Sequence, residues 1–279
     1  MILDIGMGIF RHPLTFRVFK YTIYALLSVN VYLFFIDDWQ ASDHVFSNGV
    51  GIGQIIEAFV ATIDTGAWVI LLLLFELETY VISEKNIVGS LKLTLHGVRV
   101  FCYGFILYSF YGYVSKCMML YGFVPLDSTD LCALREAFPS FMTDLDEFTS
   151  ITADNCHQFS GTALSGAAAI QVATDASSLR SAQHLAWADV INSATWLLVV
   201  LFLEIDVRIL LKHDRFNRFL VYNNYIKGIL YLTLLVVAIY WGVTAALLDF
   251  WDAFLWLVAF AFIEMNIFNW QAQAETNTL

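Results

Sequence analysis

Residues 64–78 read DTGAWVILLLLFELE, and the same frame returns twice, as NSATWLLVVLFLEID at 192–206 and DAFLWLVAFAFIEMN at 252–266. Each copy places a polar residue four positions before a tryptophan and a glutamate eight positions after it: Asp64, Trp68 and Glu76; Asn192, Trp196 and Glu204; Asp252, Trp256 and Glu264. The residues between are almost wholly apolar and show no alternation of period two, so each frame reads as a helix. Self-similarity at this level marks a chain built from repeated units.

The spacing has a physical consequence. Twelve residues of helix rise about 18 Å, whereas the hydrocarbon core of a bilayer is roughly 30 Å thick. If these helices span a membrane, the upper and lower polar residues of a frame cannot both lie outside it. Ionisable groups inside hydrocarbon cost at least about 2.5–3.5 kcal/mol and normally face the bundle interior and pair. At about 100° per residue the two positions sit about 120° apart around the helix and flank one sector.

The rest of the chain supports a membrane setting. Of 279 residues, 59% are hydrophobic and 14% charged, about half the charged share of a soluble domain, and the mean hydropathy is +0.69. The net charge of −11 leaves no basic face for nucleic acid. Six stretches are long and apolar enough to span, at about 18–36, 55–82, 98–122, 187–211, 222–248 and 252–270. The first runs into Ile36-Asp37-Asp38 without a small-residue cleavage site and is expected to remain in the mature protein. The three frames fall on the second, fourth and sixth stretches. Arg17-Val18-Phe19-Lys20-Tyr21 and Arg99-Val100-Phe101-Cys102-Tyr103 echo each other on the first and third, with Lys227 at the comparable start of the fifth. The expectation is an all-α, polytopic bundle of six transmembrane helices made of three related hairpins. Residues 1–122 hold helices one to three, 123–186 an insertion, and 187–279 helices four to six with a C-terminal tail.

Lys and Arg collect on the cytoplasmic side. All fourteen but Lys116, Arg135 and Arg180 fall before the first stretch, between the second and third, or between the fourth and fifth, or at their edges. Both termini are therefore expected in the cytoplasm, in a cell inner membrane or plasma membrane, with the acidic insertion outside. Cys132 and Cys156 then meet an oxidising compartment, and a disulfide between them is expected, with Cys117 as a competitor. Cys102 reads as an inert core thiol and His157 as a solvated loop residue. The stretch 160–170, SGTALSGAAAI, reads as a small helix or a loose cover.

Nothing in the chain reads as a catalytic or cofactor motif. No histidine pair stands at haem or zinc spacing, and the metal question stays open. Gly49-Val50-Gly51-Ile52-Gly53 lacks the lysine and strand of a phosphate loop. No cofactor is implied, and the chain is not expected to be an enzyme.

What remains is the set of intramembrane acids. Asp64, Asn192 and Asp252 form an outer tier and Glu76, Glu204 and Glu264 an inner tier of an expected pathway for small cations or protons. Arg17, Arg99 and Lys227 start helices on the side of the inner acids and are expected to pair with them as a gate or a lock. Trp68, Trp196 and Trp256 are gating aromatics on this reading, and interfacial anchors or packing residues on the plainer one. The alternative is a structural or accessory subunit of a larger membrane complex in which the buried acids are ion-pair locks. The partners implied are lipid, small cations or protons, and further copies of the chain or other membrane subunits.

Overall fold

A computed structural model describes residues 13–46, 49–78, 82, 88–210, 217–244 and 246–260. It is mostly helical, at 75%, with a small β-sheet, which an all-α expectation does not contain. The first helix, α1 (Pro13–Val45), opens on a proline, whose missing N–H and fixed φ suit the first turn. The chain then passes through a 3-10 turn at Ile52–Gln54 into α2 (Ile55–Ala58) and α3 (Val60–Glu76). Next come α4 (Gly89–Met119), a sheet of five short strands, α6 (Ala176–Leu210), α7 (Asn217–Val243) and a helix at 247–260, α8.

Among the described residues four helices are long and apolar enough to cross a membrane, at Arg17–Val45, Gly89–Gly122, Ala176–Phe202 and Tyr225–Val243. The pair α2 and α3 makes a fifth if counted as one broken span. Their outer faces support this reading: on α4, Val100, Leu107 and Tyr111 are more than half exposed, and so are Ile229, Leu232 and Val236 on α7. Apolar side chains on a helix with no polar stripe need hydrocarbon as their solvent.

Two helices differ from the sequence expectation for identifiable reasons. The first does not stop at Ile36 but continues through Asp37 and Asp38 to Val45. Asp38 is buried and finds partners: its Oδ2 accepts from the backbone N–H of Thr62 at 2.9 Å and from its hydroxyl at 2.6 Å. The second expected span is not one helix, because Phe59 leaves helical geometry (φ −128°, ψ 36°) and α2 and α3 meet at 78°. A break of this kind exposes the first N–H groups of α3, and the carboxylate of Asp38 takes the one at the third helical position. Phe59 itself stacks on Phe35 and lies against Trp39 of α1. On the other side, Ile56 and Val60 approach α4 so closely that a Cβ on Gly112 would stand 2.9 Å from Val60 Cγ2.

The insertion is a folded domain. Its strands are β1 (Val124–Pro125), β2 (Ser140–Met142), β3 (Phe148–Ser150), β4 (Leu164–Ala167) and β5 (Val172–Asp175), in the spatial order β1-β4-β5-β2-β3. Only β2 and β5 run parallel. The edge position of β1 accommodates Pro125, which has no N–H to offer a ladder. A short helix, α5 (Leu131–Leu134), completes the domain. Leu131, Phe138, Phe141, Ile151, Leu164 and Ala173 form its core, into which Cys156 is also buried. The sheet passes directly into α6, whose start is capped by Asp175: the backbone N–H groups of Ser177 and Ser178 donate to Oδ1 at 2.7 and 2.9 Å.

By contacts the chain divides into two compact units, one of the described parts of Met1–Val31 and Phe202–Leu279, the other Tyr32–Leu201. In the second, Ala67 of α3 packs with Cys102 and Ile106 of α4, and Trp68 and Leu197 close around them. In the first, Asn30 of α1 donates to Asp252 of α8 at 2.8 Å.

Candidate ion-binding site

The second unit gathers its charged side chains where α1, α2 and α4 meet the sheet. Lys116, seven residues along α4 from Ser109, is embedded in an otherwise apolar stretch and needs anionic partners. It pairs with Asp146 of the β2–β3 turn and also feels the charges of Asp189 on α6 and Asp38 on α1. One residue before it, Ser115 donates to Glu57 Oε1 of α2 at 2.6 Å. Asp38, Glu57, Ser115, Lys116 and Asp146 line one cavity of about 450 Å³. In the adjoining sheet domain, burial pushes the Asp144 carboxyl above its ordinary value, and the N–H of Leu145 offsets part of that shift.

After the break at Phe59 comes α3, which carries two of the repeat-frame acids. Asp64 is 8% exposed and Glu76 5%. The Tyr113 hydroxyl of α4 lies 3.4 Å from Asp64 Oδ2. The frames at 64 and 192 meet through their tryptophans: the rings of Trp68 and Trp196 are 6.4 Å apart at 55°. Asn192 Oδ1 is buried, and no donor reaches it among the described residues. A buried acceptor with no donor is uncommon and marks a place where a proton, water or cation would be stabilised.

The third frame belongs to the other unit. Asp252 accepts from Asn30 and also from the Trp256 side chain four residues later on its own helix. That bond gives the acid-x-x-x-tryptophan spacing a concrete reason at this copy: positions i and i+4 adjoin on a helix, and the indole N–H needs an acceptor when buried. Trp256 also packs on Phe260.

The inner tier differs from expectation where it can be followed. Arg99 pairs with Glu78, not with Glu76. Helix α3 ends at Glu76 and the next two residues form a wider π turn, which carries Glu78 round to α4. Arg17 is exposed on α1, and Lys227 is half-buried on α7. Of Glu204 only the backbone, within α6, is described, and Glu264 lies outside the described residues.

Cys132 and Cys156 form the expected disulfide, while Cys102 and Cys117 are buried free thiols. His157 Nδ1 lies 3.4 Å from Cys132 Sγ. The three side chains have the proximity of a metal site, but with the sulfurs bonded to each other they offer no thiolates.

The sequence analysis assigned no site role to Asp38, Glu57 or Lys116. Lys116 carried a signal, as the only basic residue within the 98–122 apolar stretch after Arg99, and a lysine so placed implies an acid within reach. Asp38 carried none, because its partner appears only once the second span breaks. Set against the models of known protein families, curated proteins and solved structures, the chain matches none.

Proposed function

We propose that the protein is a non-catalytic, multi-pass protein of a cell inner membrane or plasma membrane that moves protons or small cations along α3. One observation carries the reading: two carboxylates, Asp64 and Glu76, are buried on a single apolar helix, separated by about 18 Å along its axis. A carboxylate held away from water is stable only when it is protonated or paired with a cation, and exchange of that proton or cation between successive sites is transport. The unsatisfied Asn192 Oδ1 beside the Trp68–Trp196 pair supports a third polar station at the outer level. The break at Phe59 fits the same role, since interrupted helices place polar groups inside a bundle where a continuous one would not. On this proposal the six helices form three related hairpins with both termini cytoplasmic. Glu204 and Glu264 complete the inner tier, and Asp252 completes the outer one. Arg17, Arg99 and Lys227 compete with the transported cation, and copies of the chain associate in the membrane.

The test is flux in proteoliposomes under proton, sodium and potassium gradients, with native protein, Asp64→Asn and Glu76→Gln. The reading expects native flux above empty vesicles that falls on neutralising either acid. Native protein that leaves every gradient intact overturns it.

A second reading rests on two of the ion pairs among the described residues. Lys116–Asp146 and Arg99–Glu78 each tie α4 to another element and are of the kind a purely structural or accessory subunit uses as locks. Such a subunit would show no flux, and breaking either pair would loosen it from its complex.

A further inference from the structure

The chamber around Lys116 has a shape and lining that ion pairing alone does not need. Its volume, about 450 Å³, falls within the roughly 300–1,000 Å³ of sites that hold small organic ligands. It is bounded by two chemistries. Its lining includes the charged side chains of Asp38, Glu57, Lys116 and Asp146 and the apolar ones of Phe46, Met119, Phe123, Met142 and Phe148.

The charge is unbalanced. Asp146 holds Lys116, while Asp189, Asp37 and Glu147 add their fields to the same region. Asp38, 6% exposed, commits Oδ2 to Thr62, and Glu57 commits Oε1 to Ser115. Among the described hydrogen bonds none reaches the second oxygen of either carboxylate, and both residues face the cavity. A bare metal ion would leave most of this volume empty, and thioethers and ring faces are poor ligands for hard cations. They are good surfaces for the apolar body of an organic ammonium, and aromatic faces attract its charge.

We propose that this chamber binds a small organic cation, with its ammonium group between Asp38 and Glu57 and its apolar portion against the methionine and phenylalanine wall. The site stands apart from the pathway on α3 and requires no flux. Lys116 has a defined part in it: it pairs with Asp146 and its charge also acts on Asp38, whereas Glu57 is not among the acids it acts on and offers the ligand a carboxylate with no shared cation among the described residues.

The experiment is calorimetric titration of the full-length protein in detergent with phenethylammonium and with tetraethylammonium. Phenylacetate, 2-phenylethanol and calcium are titrated in parallel. The proposal expects both ammonium ions to bind and phenylacetate not to bind, with 2-phenylethanol much the weaker of the aromatic pair. Glu57→Gln, whose carboxylate has Ser115 as its one hydrogen-bond partner among the described residues, should retain its melting midpoint and weaken ammonium binding by roughly tenfold or more, the fold-change for losing a charge-assisted contact. Asp64→Asn should bind as the native protein does, so a failure of transport and a failure of this site are separately visible. Absence of binding by either ammonium overturns the proposal. So does equal binding of amine and alcohol, calcium binding that excludes the amine, or undiminished binding by a folded Glu57→Gln.

Discussion

Adding one methyl group at Gly112 tests the geometry of the broken helix directly. A Cβ there would lie 2.9 Å from Val60 Cγ2, 3.2 Å from the Ile56 carbonyl oxygen and 3.3 Å from Ile56 Cγ1. Carbon atoms rest at about 3.5–4.0 Å, so the closest contact is short by more than half an ångström, and one of the three neighbours is backbone. Overpacking of this kind costs about 1–3 kcal/mol. Against it stands the ordinary gain of replacing a helical glycine by alanine, up to about 1 kcal/mol. The same helix provides the control, because a Cβ at Gly104 meets nothing within 4 Å. Gly104→Ala should therefore raise the apparent melting midpoint in detergent and Gly112→Ala lower it, the two differing by the full overpacking cost. Val60→Ala removes the nearest atom and should recover part of the loss when combined with Gly112→Ala. The assay is thermal unfolding followed by tryptophan fluorescence at a single scan rate, since unfolding of such proteins is commonly irreversible. If Gly112→Ala and Gly104→Ala are equally stable, α2 and α3 do not press on α4 as described, and the account of the break fails.

Two further outcomes follow from the charges outside α3. Lys116→Met leaves Asp146, Asp189 and Asp38 without their shared cation and should destabilise by about 3–5 kcal/mol, whereas Asp146→Asn, at a side chain 42% exposed, should cost about 1 kcal/mol or less. Equal shifts in melting midpoint would show that Asp146 alone is the partner. At the sheet, burial works to raise the Asp175 carboxyl, but donors from Ser177 and Ser178 outweigh it and hold the group below its ordinary value. Its contribution is complete above the ordinary carboxylate pKa, where folded and unfolded chains are both ionised, and disappears as pH falls through the lowered native value. Asp175→Ala should cost about 0.5–2 kcal/mol at neutral pH, and native and variant stabilities should converge only in acid below about pH 4. A gap that persists unchanged at pH 2 would assign the effect to packing.

Four long helices were legible because an apolar run of about twenty residues favours an unbroken helix, and the repeat frame was legible because its spacing is helical. Its physical content came out differently at each copy. Trp68 and Trp196 meet each other, and Trp256 donates to its own Asp252. The break at Phe59 was not legible, since neither proline nor glycine occupies the position. It is a tertiary event made by Asp38 on one helix and by the space at Gly112 on another. The sheet was hidden for a different reason. Its strands are two to four residues long, too short for a period-two pattern, and the run Ser165-Gly166-Ala167 carries the composition of a linker. It is a strand by its pairing with β1 and β5, and the glycine is needed because the Phe138 ring lies 2.6 Å from where a Gly166 Cβ would be. Arg99 was expected to pair within the ring of Glu76, Glu204 and Glu264; the partner the structure gives it is Glu78, which follows Glu76 in a π turn that helical counting does not anticipate.

The strand order also does mechanical work. Helix α4 feeds the sheet through β1, and α6 leaves it directly from β5, while β4 alone lies between those two strands. Neighbouring strands are about 4.8 Å apart, so β1 and β5 are separated by about 10 Å, which is the distance between the axes of two helices in contact. The sheet is thus a gauge of one helix width, set between the C-terminal end of α4 and the N-terminal end of α6. A flexible loop of equal length would join the same two helices and leave their spacing to lipid and side-chain packing.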